Sequence, residues 1–190
     1  MTTQVAPPSI SITLAIDPPS FPPGTAVGLS ITAISHASTP ITIFTWPNVF
    51  NLKLAQRRKN FKCVDLDTGE PLNMELTKGG KRPGFRHDRD SMDDKYHLTL
   101  EPGRPLKVSE SFGLARWPAE GRHTLTPGHR YAFEVRHGEK VDWWKEGTRE
   151  DVLAPPGQIE ELGSSGGVAG EPIVLEIAGP VVFTVLPSET

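Results

Sequence analysis

The sequence predicts an all-β protein, a two-sheet antiparallel sandwich of about eight or nine strands, and three observations carry that expectation. Several short segments alternate apolar and polar residues at the period of a strand with one face in a core. The 190 residues include 19 prolines and 18 glycines, which disfavour helices and favour many turns. A Pro-Gly pair precedes a strand three times, each time in the same register.

The first alternation is Ile10, Ile12, Leu14 and Ile16 against Ser11, Thr13 and Ala15, closed by Asp17-Pro18-Pro19. A second strand carries Val27, Leu29, Ile31 and Ala33 on one face, and a third, shorter one runs from Ile41 to Phe44. Phe61 to Leu66 alternates again, and the turn Asp67-Thr68-Gly69-Glu70 leads into Leu72 to Leu76, which predicts a hairpin. Further strands are expected around Tyr96 to Leu100, Leu106 to Phe112 and Tyr131 to Val135. Ile173 to Ile177 and Val181 to Val185, separated by Gly179-Pro180, read as a last hairpin or as one long strand with a bulge.

Pro23-Gly24, Pro102-Gly103 and Pro127-Gly128 each stand three residues before the first inward side chain of a strand: Val27, Leu106 and Tyr131. The next position but one is also apolar, as Leu29, Val108 and Phe133. The spacing between the pairs is unequal, so the recurrence is one of turn geometry rather than of a solenoid repeat.

Residues 77–95 lack apolar periodicity and mix both charges, which predicts a long charged loop, of a length that is usually functional or mobile. A second irregular stretch is expected over 137–172, its Pro-, Gly- and Ser-rich part acting as a connection inside the domain. The whole chain, 1–190, reads as a single domain.

Composition narrows the partners. A net charge of −3 offers no positive field for a phosphate backbone or an anionic membrane, so neither nucleic acid nor membrane is expected. The basic run Arg57-Arg58-Lys59 and the group Lys78, Lys81, Arg82, Arg86 and Arg89 read as solvated surface. Cys63 is the only cysteine and alternates onto the side of Phe61, which predicts a buried structural thiol and a reducing, cytoplasmic location. The opening residues lack a cationic start followed by an apolar stretch, so no secretory leader is expected.

Leu125-Thr126-Pro127-Gly128-His129-Arg130-Tyr131-Ala132-Phe133 resembles the entry to a late central strand of immunoglobulin-like and fibronectin-type domains, where a tyrosine closes a corner. That resemblance implies an immunoglobulin-like sandwich. The amino-terminal order of strand, Pro-Gly turn, strand and Pro40-Ile41-Thr42-Ile43 is similar to arrestin-like sandwiches and to small bacterial intracellular proteinase-inhibitor domains, and implies a binding scaffold. Asp142-Trp143-Trp144-Lys145-Glu146-Gly147-Thr148 resembles a segment of uncharacterised fungal proteins, which implies no activity.

The segment His87 to His97 holds four carboxylates and two imidazoles in 11 residues, and Asp88, Asp90 and His97 are its candidate metal ligands. The calcium-loop pattern fails at the sixth and twelfth positions, and Arg86, Arg89 and Lys95 stand close enough to neutralise the carboxylates. Trp143 and Trp144 lie side by side, so on a strand one indole would face the core and the other would face out. With Tyr131, Arg86 and His87 they form the candidate ligand-binding set, since such rings offer flat area with a polar handle. No nucleophile elbow, zincin pair or phosphate loop occurs, and no cofactor is expected. Acid–base pairing of Asp142 or Glu146 with His123, His129 or His137 stays open at this level.

Three functions follow. The first is a non-catalytic module that presents its long loops to a protein or peptide, or pairs through an edge strand, with a homo-oligomer as the simplest case. The second is a small-molecule binder or a motif-less cyclase- or isomerase-type enzyme, and the third is metal binding in the 87–97 loop.

Overall fold

The computed structural model describes residues 7–74, 84–116, 125–158 and 170–187. Strands dominate them: β1 (Ile10–Asp17), β2 (Ser20–Phe21), β3 (Gly28–Ser35), β4 (Ile41–Phe44), β5 (Phe61–Asp65), β6 (Pro71–Leu72) and β7 (His97–Leu100) come first. β8 (Leu106–Ser111), β9 (Arg130–Val135), β10 (Lys140–Val141), β11 (Trp144–Glu146), β12 (Ile173–Ile177) and β13 (Val181–Val185) follow. The α-helices are single turns, α1 (Leu52–Ala55), α2 (Gly113–Arg116) and α3 (Arg149–Val152). None is long and apolar enough to cross a membrane.

The three Pro-Gly pairs make one kind of turn. The amides of Thr25, Arg104 and His129 donate to the carbonyls of Pro22, Glu101 and Thr126 at 3.2–3.3 Å, closing four-residue turns with proline second and glycine third. Gly24, Gly103 and Gly128 have φ of +79°, +64° and +88°, the left-handed value a type II turn requires at that position and glycine adopts without strain. Each turn thus aims a strand, and Val27, Leu29, Tyr131 and Phe133 enter the interior as their register predicts.

The sheets are ordered β10-β12-β1-β3-β8, β11-β4-β7 and β2-β13-β9-β5-β6, three rather than two. Two of them are mixed rather than wholly antiparallel: β1 pairs in parallel with β12, Ile10 opposite Leu175, and β13 with β2, Val185 opposite Phe21. Long connections separate these partners in sequence, so no tight turn imposes an antiparallel return. For the same reason β12 and β13 form neither a hairpin nor one bulged strand: they lie in different sheets. The hairpin of β5 and β6 forms through Gly69, and Leu76 lies outside the described residues. The stretch 137–172 is not irregular throughout, since it holds β10, β11 and α3.

Side chains of all three sheets meet in one apolar cluster. Phe61 stacks on Phe133 at 4.8 Å, Phe112 meets Phe133 and Phe183 edge-on at 5.2 and 5.3 Å, and Tyr131 stacks on Phe183 at 5.2 Å. Each such fully buried ring contributes about 2–3 kcal/mol of transfer free energy. Cys63 is fully buried beside Phe61, and burial pushes its thiol pKa up to about 12, as a structural cysteine requires. The Tyr131 hydroxyl accepts the Thr126 amide at 2.7 Å, tying β9 back to the turn that precedes it.

Candidate functional site

β4 is the strand that separates two apolar regions. It lies between β11 and β7, with Ile41 and Ile43 directed into the main core. Alternation turns Phe44 the other way, into a second, smaller cluster with Trp143 and Leu153. Trp46, Phe85, Tyr96 and Val152 pack around these three and remain half-buried.

β11 and the residue before it do the same. Trp144 enters the main core, fully buried, and its Nε1 donates to the Glu171 carbonyl at 3.0 Å. Trp143 turns into the second cluster at 9% exposure, so neither indole faces out as the alternation had suggested. Its Nε1 is buried with no hydrogen-bond partner among the described residues.

The rings around Phe44 come from three parts of the chain. Phe85, His87 and His97 stand 5.0, 5.1 and 4.9 Å from the Phe44 ring, and Tyr96 meets Trp46 edge-on at 5.2 Å. Cations lie over three of the aromatic faces: Arg58 over Trp46 at 5.5 Å, Lys95 over Tyr96 at 5.2 Å and Lys145 over Trp143 at 5.8 Å. This is the geometry of cation–π attraction.

The segment 84–97 is held by its own carboxylates. Arg86 Nε and Nη2 donate to the two oxygens of buried Asp88 at 2.9 and 2.7 Å. One Asp94 oxygen accepts from the Asp90 amide at 2.8 Å and from Arg149 at 2.6 Å, and Asp93 accepts from the Arg86 amide at 3.0 Å. Backbone bonds from Arg89 to Ala154 and from Ala154 to His87 tie the segment to the residues after α3. Of the three expected metal ligands, Asp88 is taken up by Arg86 and His97 by His87, while Asp90 contributes its backbone amide to Asp94.

Among the described residues, the group of three metal-type donors that does converge is Asp65, Asp67 and His129. Its atoms are already engaged. Asp65 accepts from the amides of Asp67 and Thr68 and pairs with His129 Nδ1 at 2.8 Å, while Asp67 accepts the Arg130 amide at 2.7 Å. Burial raises the Asp65 pKa, and the His129 and amide hydrogen bonds outweigh it and leave it lowered. The carboxylate that meets His129 is thus Asp65 rather than Asp142 or Glu146; His123 lies outside the described residues.

The two imidazoles meet in the second cluster. His87 Nδ1 lies 2.8 Å from His97 Nε2, and the His87 ring lies flat on Trp143 with centroids 4.5 Å apart. Burial, with the charges of His97 and Lys145, drives the His87 pKa down to about 4, and burial also lowers His97. Both shifts favour the neutral imidazole.

The five expected ligand-binding residues divide accordingly. Trp143, His87 and Arg86 belong to this second cluster or its supporting loop, whereas Trp144 and Tyr131 are main-core residues. Phe44 and Lys145 were not among the expected site residues, because the last apolar residue of a short strand and a single lysine carry no site signal of their own. No known protein family matches the chain, and no curated protein matches it.

Proposed function

We propose that this chain is a non-catalytic binding module on an immunoglobulin-like sandwich, and that it receives an aromatic side chain of a protein or peptide partner at Trp46, Phe85, Tyr96 and His87. The carrying observation is the second cluster itself: half-buried aromatic rings gathered outside the main core, with lysine and arginine over their faces. Tryptophan, tyrosine and arginine dominate binding hot spots, and the two aromatic side chains bury large area at small entropic cost. The cations favour carboxylates flanking the partner's ring. The contact between Tyr131 and Thr126 supports the immunoglobulin-like reading of the scaffold.

The test is selection of a random-peptide library on the wild-type protein, with counter-selection on the Trp46→Ala Tyr96→Ala double variant. Enrichment of aromatic peptides with neighbouring Asp or Glu is expected. Peptides that bind the double variant equally well, or a tightly held small molecule in the native mass spectrum, would overturn the reading.

A further inference from the structure

His97 fixes which nitrogen of His87 carries the proton. His97 Nδ1 faces the Asp94 carbonyl at 3.3 Å, with the Asp93 backbone as a further acceptor. A carbonyl oxygen only accepts, so Nδ1 of His97 holds the hydrogen and its Nε2 is the lone-pair nitrogen. That lone pair takes the hydrogen of His87 Nδ1 across 2.8 Å. The remaining nitrogen, Nε2 of the half-buried His87, is then unprotonated and has no hydrogen-bond partner among the described residues.

The inverse arrangement, with His97 Nε2 donating to His87, would set a lone pair of His97 against the carbonyl of Asp94. Charged groups near the pair are of both signs: the cations Lys145 and Arg149 and the carboxylates Asp88, Asp93 and Asp94, of which Asp88 is bound to Arg86 and Asp94 to Arg149.

We infer that His87 Nε2 is a hydrogen-bond acceptor that selects the ligand of this site, and that the ligand is an aromatic ring bearing its own N–H or O–H. This rests on the aromatic patch being the binding site, and it adds what distinguishes an indole or phenol from a plain phenyl ring. Lys145, its ammonium 5.8 Å from the centre of the Trp143 ring and close enough to act on His87, suits a carboxylate beside that ring.

The first test needs no variant. Long-range ¹H–¹⁵N correlation of the imidazoles at pH 7 should show protonated Nδ1 and bare Nε2 in both His87 and His97; a protonated His87 Nε2 overturns the inference. The second is titration with indole and with 1-methylindole, followed at the Trp46 and Tyr96 resonances. One hydrogen bond predicts about fivefold tighter binding of indole, and His87→Phe should remove the difference. Equal binding of both probes at the patch overturns the inference alone, whereas shifts at neither ring overturn the binding reading beneath it.

Discussion

The imidazole of His87 and the indole of Trp143 lie parallel within 1°, their centroids 4.5 Å apart. This stacking sets an acceptor-bearing ring against a large apolar face, and it joins the segment 84–97 to the residue before β11. The stability of the site therefore depends on the imidazoles staying neutral.

Acid should weaken the fold through these histidines. In the unfolded chain an imidazole titrates near 6.5, about the ordinary value, whereas His87 in the fold titrates at about 4. A depressed folded value means that the unfolded state binds the extra proton, so the contribution is complete above about pH 6.5 and disappears as pH falls towards 4. Denaturant melts across that window should lose on the order of 2 kcal/mol. His87→Gln should flatten the slope; an unchanged slope would contradict the assignment.

The adjacent tryptophans should respond differently to the same change. Trp144→Phe removes a hydrogen bond to the Glu171 carbonyl, while Trp143→Phe removes a buried donor without a partner among the described residues. An unsatisfied buried donor costs about 1–3 kcal/mol, which partly offsets the lost packing at 143. Urea unfolding should show Trp144→Phe to be the more destabilising by about 1 kcal/mol, and the reverse order would contradict the two placements.

Tyr131→Phe keeps the ring on Phe183 and loses only the hydroxyl that accepts the Thr126 amide. A cost of about 1–2 kcal/mol is expected, with the hairpin of β5 and β6 intact by NMR. A neutral substitution would mean that the corner contact does not hold the turn before β9.

Much of the scaffold was legible because alternation and turn chemistry are local. Ile10 to Ile16 declared β1, and each Pro-Gly pair declared both a turn and the inward residue after it. The parallel pairings were not legible, since Val181 to Val185 has the same pattern whether it joins β9 and β2 or folds back on β12. The site was half visible. Trp143 and His87 attracted notice by type, but their meeting with Phe44 and His97 depends on β4 lying between β11 and β7, which no local pattern encodes. Asp88 looked like a ligand because the sequence shows its charge and not the Arg86 guanidinium that engages it.

The most direct test of the central claim is calorimetric titration of one selected peptide into wild type, Trp46→Ala and a control, Leu66→Ala, whose side chain is an exposed leucine outside the aromatic cluster. Loss of a hot-spot aromatic costs 2 kcal/mol or more, roughly a 30-fold weakening, and that loss is expected for Trp46→Ala with Leu66→Ala unchanged. Equal affinities in all three proteins, or weakening by Leu66→Ala alone, would show that the partner binds elsewhere.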